Sequence, residues 1–289
     1  MLDLLRFVWT HPLNRGGRLK ALGRALRWQI ACRLLGAPIA LPFVDGLSLL
    51  IEPGMTGATG NWYCGLHEPD DMAFVLHLLR PGDRFLDVGA NVGSYTLLAA
   101  ATGALVTAVE PIPATFKKLR RNVLFNLLDQ QVNVLACGLS DSAGALRFTS
   151  ALDTENHVLA ADEFADFVEV PTTRLDDIAK SSVPLLIKID VEGHEQAVLS
   201  GGADTLSDPR LLAVIMETNG SGSRYGHDDS QLMKIMLGHG FQPRAYDALT
   251  RRLSDHPGRG GNTIFVRDHD AVQARLKAAR QFRLVNRRL

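Results

Sequence analysis

The sequence has little that would tie it to a membrane span, a disulfide scaffold or a polyanion. Its three cysteines, Cys32, Cys64 and Cys137, are odd in number and far apart, which argues against a disulfide framework and offers no metal-ligand spacing. That usage fits a reducing compartment, and a cytoplasmic location without a bound metal is expected. Lys plus Arg equals Asp plus Glu, 31 each, so no net field draws the whole chain to nucleic acid or an anionic surface. The longest apolar region, from Leu34 to Ile51, is broken by Gly36, Pro38, Pro42 and Asp45. It reads neither as a spanning segment nor as the continuous core of a signal peptide. Internal repeats and low-complexity stretches are also missing. What is there is a chain of 289 residues, 46% hydrophobic, which can bury a sizeable α/β core.

Charge is placed unevenly along it. Seven bases up to Arg33 face only Asp3 and Asp45 within the first fifty residues, and the segment after Asp270 is basic without any acid. Leu19, Leu22, Leu26, Ile30 and Leu34 recur at spacings of three and four, which predicts an amphipathic helix packed on the body of the protein. Its cationic character also suits an anionic membrane surface or a partner. "PFVDGLSLLIEPG" reads as a hairpin, followed by a loop rich in Gly and Thr. From Met72 onward strands and helices alternate, as in a parallel sheet covered on both faces. "FQPRAYDAL" and "NTIFVRD" read as a closing antiparallel pair.

In such a sheet, ligands bind outside the carboxyl ends of the strands. Acidic residues stand at five consecutive predicted ends: Asp87, Glu110, Asp141 beside Ser140, Asp190 with Glu192, and Glu217. One such carboxylate would be an ordinary helix cap; five together suit a ligand carrying hydroxyl or cationic groups. Gly89 and Gly93 allow a close approach to the first turn. Glu110 follows Asp87 by 23 residues, close to the ~20-residue spacing at which an acid grips a ribose diol. The turn misses the G-x-G-x-x-G fingerprint because Asn91 holds the middle position, and no phosphate-binding P-loop is present. An acidic crevice repels phosphates and favours a sulfonium with an amino group, so S-adenosylmethionine suits it best.

"FLDVGANVGSYTLLAA", "AVEPIPATFKKLRRNV", "ACGLSDSAG" and "LIKIDVEGHEQAVLSGG", in that order, resemble the FkbM family of class I S-adenosylmethionine-dependent methyltransferases. The resemblance covers roughly Pro81 to Thr218. It implies an α/β Rossmann-like fold, with a seven-stranded, mostly parallel sheet whose last strand is reversed, and methyl transfer, usually to oxygen. Asp87, Gly89, Asn91 and Gly93 would line the methionine end of the cofactor, Glu110 the ribose, and Ser140 with Asp141 the adenine. Lys188, Asp190 and Glu192 would lie at the reacting end. Ser94-Tyr95 stands where many members carry two aromatics, and His194 where many carry a small residue. The expected division is residues 1–70 as a basic helix, hairpin and loop covering the site, 71–270 as the methyltransferase domain, and 271–289 as a basic C-terminal helix.

Transfer to a hydroxyl needs a general base within hydrogen-bond reach of the acceptor. Asp190 is the first candidate, with Lys188 pairing with it or orienting the acceptor; Glu192, Glu217 and His194 are the others. Lys188 could equally be a structural ion pair, and Glu192 a cap of the next helix. Tyr63, His67 and Glu68 are expected to cover the acceptor, unless Glu68 only caps the helix after it. The strand before "VEG" lacks the Asn/Asp-Pro-Pro-aromatic turn of nucleic-acid amino methylation, so nucleic acid is not an expected partner. The expected function is O-methylation of a sugar, glycan, lipid or secondary metabolite. A nicotinamide-dependent oxidoreductase and a non-catalytic binding protein are the alternatives.

Overall fold

The chain opens with two helices, α1 (Leu2–Thr10) and α2 (Arg18–Leu35). A computed structural model describes residues 2–150, 156–160, 163–255 and 261–289. Helix α2 forms where the apolar spacing predicts, but of the five residues that mark it only Leu22 packs on the core, and the other four face outward. Ala21, Ala25 and Trp28 are the buried residues of this helix, while Leu19, Leu26, Ile30 and Leu34 are more than half exposed. The small alanines let the helix lie close to the body, and Arg24 donates inward to the Trp62 and Tyr63 carbonyls.

The predicted hairpin is β1 (Ile39–Val44) and β2 (Leu47–Ile51). Its turn residues Asp45 and Gly46 both have positive φ, 46° and 94°, which is what the tight primed hairpin turn requires. The stretch read as a Gly- and Thr-rich loop contains a helix, α3 (Thr56–Cys64), followed by α4 (Pro69–Leu78). Packing overrides weak propensity in α3: six of its residues, from Ala58 to Cys64, are buried.

The alternating region gives β3 (Arg84–Val88), α5 (Ser94–Ala101), β4 (Leu105–Val109), α6 (Pro113–Phe125) and β5 (Val132–Leu135). A small side sheet follows, of β6 (Gly138–Leu139), β7 (Gly144–Thr149) and β8 (Phe167–Thr173), then α7 (Leu175–Ala179). The main sheet resumes with β9 (Leu186–Ile189), α8 (Glu195–Ser200), α9 (Ala203–Ser207), β10 (Ala213–Glu217) and α10 (Asp229–Gly238). It closes with β11 (Gln242–Asp247), β12 (Arg252–Ser254), β13 (Asn262–Val266) and α11 (His269–Lys277). The Gly-rich connection before β13 lies mostly outside the described residues.

The main sheet has the order β12-β11-β13-β10-β9-β3-β4-β5. Strands β5, β4, β3, β9 and β10 run parallel, and β13 is antiparallel to both β10 and β11. This is the expected Rossmann-like, mostly parallel sheet with its last strand reversed. The eighth strand, β12, is an edge addition paired with β11. The winding runs from β3 out to β5 and then restarts at β9 on the other side of β3, so the crevice lies above β3 and β9. In β9, Ile187 and Ile189 join the core on one face of the sheet, and Leu186 joins the core on the other.

The C-terminal helix expected over 271–289 ends at Lys277. Beyond it the backbone of Phe282 and Leu289 exchanges two hydrogen bonds. Arg280 pairs with Asp45, and buried Phe282 and Leu284 give the segment a packed position instead of a free helical one. Asn286 Nδ2 donates to the Cys64 carbonyl at 2.7 Å and to Asn14 Oδ1 at 3.1 Å, which fastens the tail to the N-terminal extension.

Candidate active site

The turn after β3 is built for closeness. Gly89 has φ +75°, and a Cβ there would sit 1.8 Å from the Asp190 carbonyl oxygen, so only glycine lets this turn reach the end of β9. The approach expected toward a ligand is thus also an approach to the neighbouring strand. Asn91, itself at φ 51°, donates its backbone N–H to Glu110 Oε2 at 2.9 Å, and Ile112 N donates to Glu110 Oε1 at 2.9 Å. Glu110 is 5% exposed. Burial pushes its carboxyl up to about 7, against the pull of the two backbone donors. Each oxygen keeps a lone pair free for a further donor, as a diol would supply.

At the opposite end Lys188 is 3% exposed and donates to Asp190 Oδ2 at 2.7 Å. Its ammonium lies 4.7 Å from the centroid of the Tyr95 ring. Burial alone would lower its pKa, but Asp190, Asp87 and Glu68 outweigh that and hold it above the ordinary value. Lys188 is therefore a fixed cation and not a base. Glu217 ends β10; its Oε1 accepts from Asn219 at 2.7 Å, and its Oε2 is buried without a partner among the described residues. Burial first, and then Asp190, Glu192 and Glu195, push its carboxyl up to about 9. One oxygen from each of Asp190, Glu192 and Glu217 lies within 4.8 Å of the others, a grouping that could hold a divalent cation and that spacing did not suggest. The turn before α8 is held by Glu195, whose Oε1 accepts from Val191 N at 3.1 Å and Gly193 N at 3.2 Å.

The third wall comes from the N-terminal extension. Glu68 occupies the cap position of α4 but makes no side-chain cap. Its carboxylate accepts from Tyr95 Oη at 2.8 Å and Asn262 Nδ2 at 2.9 Å, and Asn262 also reaches Asp71. Burial, with Glu68 nearby, pushes Asp71 up to about 7. The His67 ring lies 5.3 Å from that of Phe7, and burial lowers its pKa against the pull of Glu68. Between these walls is a cavity of about 350 Å³, roofed by the start of α3.

The cavity brings together Gly89, Asn91, Glu110, Lys188, Asp190, Glu192, Glu217, His67 and Glu68. Six other expected residues do not line it. Asp87 lies fully buried beneath the turn, accepting from Thr96 Oγ1 at 2.6 Å, and Gly93 packs on Leu119. Ser140 and Asp141 follow β6 into the side sheet, where Ser140 Oγ is 3.1 Å from His194 Nε2. The His194 ring stacks edge-on against Tyr225, so as a base it would have to act from outside the cavity. Tyr63 turns toward α2, with its hydroxyl on Gln29. The sequence alone assigns no role to Tyr95 or Asn262. The two aromatics common at Ser94-Tyr95 marked the first position, whereas Asn262 lies 194 residues from Glu68 and left no local signal.

Residues 87–243, more than half of the chain, match the family described as the methyltransferase FkbM domain. The chain is similar to the 31-O-demethyl-FK506 methyltransferase FkbM of Streptomyces tacrolimicus, with 30% identity over 199 residues, 56% of this chain and 74% of that one. It is also similar to hexuronic acid methyltransferase AglP of Haloferax volcanii, 31% identical over 160 residues, 51% of this chain and 61% of that protein. Among solved structures, an S-adenosylmethionine-dependent methyltransferase from Agrobacterium tumefaciens aligns at 13% identity over 80% of this chain and 70% of that one, with a TM-score of 0.41. Sequence match, motif order and crevice together set aside the nicotinamide alternative: the chain belongs to the FkbM family of S-adenosylmethionine-dependent methyltransferases.

Proposed function

We propose that the protein methylates a hydroxyl oxygen of a sugar-like or other polyhydroxylated small molecule, with Asp190 as the general base. The observation that carries this reading is the Lys188–Asp190 pair facing the cavity above β9. The donor set fits the cofactor: Glu110 retains acceptor capacity for a ribose diol, and the acidic far end suits a cation. When bound, S-adenosylmethionine supplies an electrophilic methyl group on a sulfonium.

The chain's own residues then have separable roles. Glu110 orients the nucleoside end, and the β3 turn and the roof from α3 keep water out. Asp190, 32% exposed and held by Lys188, is placed to take the acceptor proton as the oxygen attacks; such positioning contributes several kcal/mol to the rate. Glu217 holds its own proton at neutral pH, which makes it a hydrogen-bond donor to the acceptor and a poor base. Glu68, already bound to Tyr95 and Asn262, presents a rigid acceptor edge at the entrance. The names of the two curated relatives support this acceptor class, since one acts on an O-demethyl compound and the other on a hexuronic acid.

Incubation with methyl-labelled S-adenosylmethionine and fractionated small-molecule extract tests the reading. A labelled methyl ether on a hydroxylated compound is the expected product. Label on nitrogen or carbon would overturn it.

A further inference from the structure

Helix α2 carries two opposed apolar faces. The inner one packs on the body through Ala21, Ala25 and Trp28. The outer one is a row of large side chains, Leu19, Leu26, Ile30 and Leu34, exposed by 78, 63, 51 and 78%. These positions repeat at seven, four and four residues and so share one side of the helix. Helix α1 bears a second such row, Leu2, Leu5 and Trp9, exposed by 82, 40 and 43%. The rows meet where Arg18, next to Leu19, lies over the Trp9 ring at 5.2 Å and donates to its carbonyl. Exposed apolar side chains in such number mark an interaction surface.

The charges beside these rows say what covers them. Helix α2 contains no acidic residue. By helical angle, Lys20 and Arg27 flank the leucine row on one side and Arg33 on the other. Among the described residues none of Arg6, Lys20, Arg27 and Arg33 forms a salt bridge. A second copy of this face would bring like charges together, whereas an anionic lipid surface meets both the cations and the apolar rows. No described helix is long and apolar enough to cross a membrane, so contact would be superficial. We infer that α1 and α2 dock the protein on an anionic phospholipid surface, leucine rows in the interface and bases among the headgroups.

The test is co-sedimentation of the full chain with phosphatidylcholine vesicles, plain or containing about a third phosphatidylglycerol. The wild type pellets with the anionic vesicles, stays free of the neutral ones and is released by high salt. The Leu26→Glu/Ile30→Glu double variant loses at least about tenfold in partitioning, with its melting temperature and S-adenosylmethionine affinity unchanged. Lys20→Glu/Arg27→Glu loses the preference for anionic vesicles in the same way. Absence of anionic-vesicle binding, or equal binding by wild type and both variants, overturns the inference. So does a wild-type dimer that the leucine variant splits, since a second copy would then cover the face.

Discussion

Lys188 and Asp190, two residues apart on one side of the β9 strand end, form a 2.7 Å ion pair with unequal burial: the lysine is 3% exposed, the aspartate 32%. The cation is locked and the anion faces the cavity. Replacing Asp190 by Asn keeps the shape and removes the proton acceptor. Turnover is expected to fall by about 100-fold or more, while S-adenosylmethionine affinity measured by calorimetry stays within a few-fold. Retained turnover would move the base elsewhere. Lys188→Met leaves Asp190 and buried Asp87 uncompensated, and is expected to cost about 3 kcal/mol of stability in denaturant titration.

Glu110 holds the β3 turn through the Asn91 amide and the following loop through the Ile112 amide. Glu110→Gln keeps the size but turns one accepting oxygen into a donor. Cofactor affinity is expected to fall by about tenfold or more, the worth of a charge-assisted hydrogen bond, with a smaller change in turnover at saturating cofactor. Unchanged affinity would break the ribose assignment.

Stability should depend on pH in an unusual sense. The Glu217 carboxyl is raised from 4.5 to about 9, so the folded protein holds this proton more tightly than the unfolded chain. Its contribution is therefore fullest below pH 4.5 and is lost as pH rises toward about 9. Asp71 and Glu110, both raised to about 7, act in the same direction over a lower window. Melting temperature measured without cofactor should fall across this range, and Glu217→Gln should flatten the fall above pH 7. An identical slope in the variant would contradict the burial described for Glu217.

Gly89→Ala places a methyl group 1.8 Å from the Asp190 carbonyl and demands a left-handed φ of +75°. The two strand ends must part. A loss of about 2 kcal/mol or more is expected, with turnover falling further than thermal stability alone accounts for, because Asp190 moves with its backbone. Single-turnover kinetics on the folded fraction separates the two effects.

Local pattern carried much of the architecture. The alternation after Met72, the Asp45-Gly46 turn and "LIKID" each encode their element within a few residues, because period and turn chemistry are short-range. The orientation of α2 was not legible, since both of its sides are apolar and only packing decides which one is buried. Helix α3 was hidden by its glycines and threonines, whose propensity is weak. Within the site, the carboxylates at strand ends could be named from the chain, but their company could not. Asn262 meets Glu68 through the reversed strand, and Ser140 with Asp141 leaves the main sheet because β6 pairs with β8. Such placements depend on topology.

Asn286 ties the tail to Cys64, at the end of the helix that roofs the cavity and 222 positions earlier in the chain. The roof is synthesised before its fastening, with the whole sheet between them in the chain. On the ribosome the methyltransferase core can therefore fold under an unlatched cover, and the cover acquires its final hold only after Asn286 emerges.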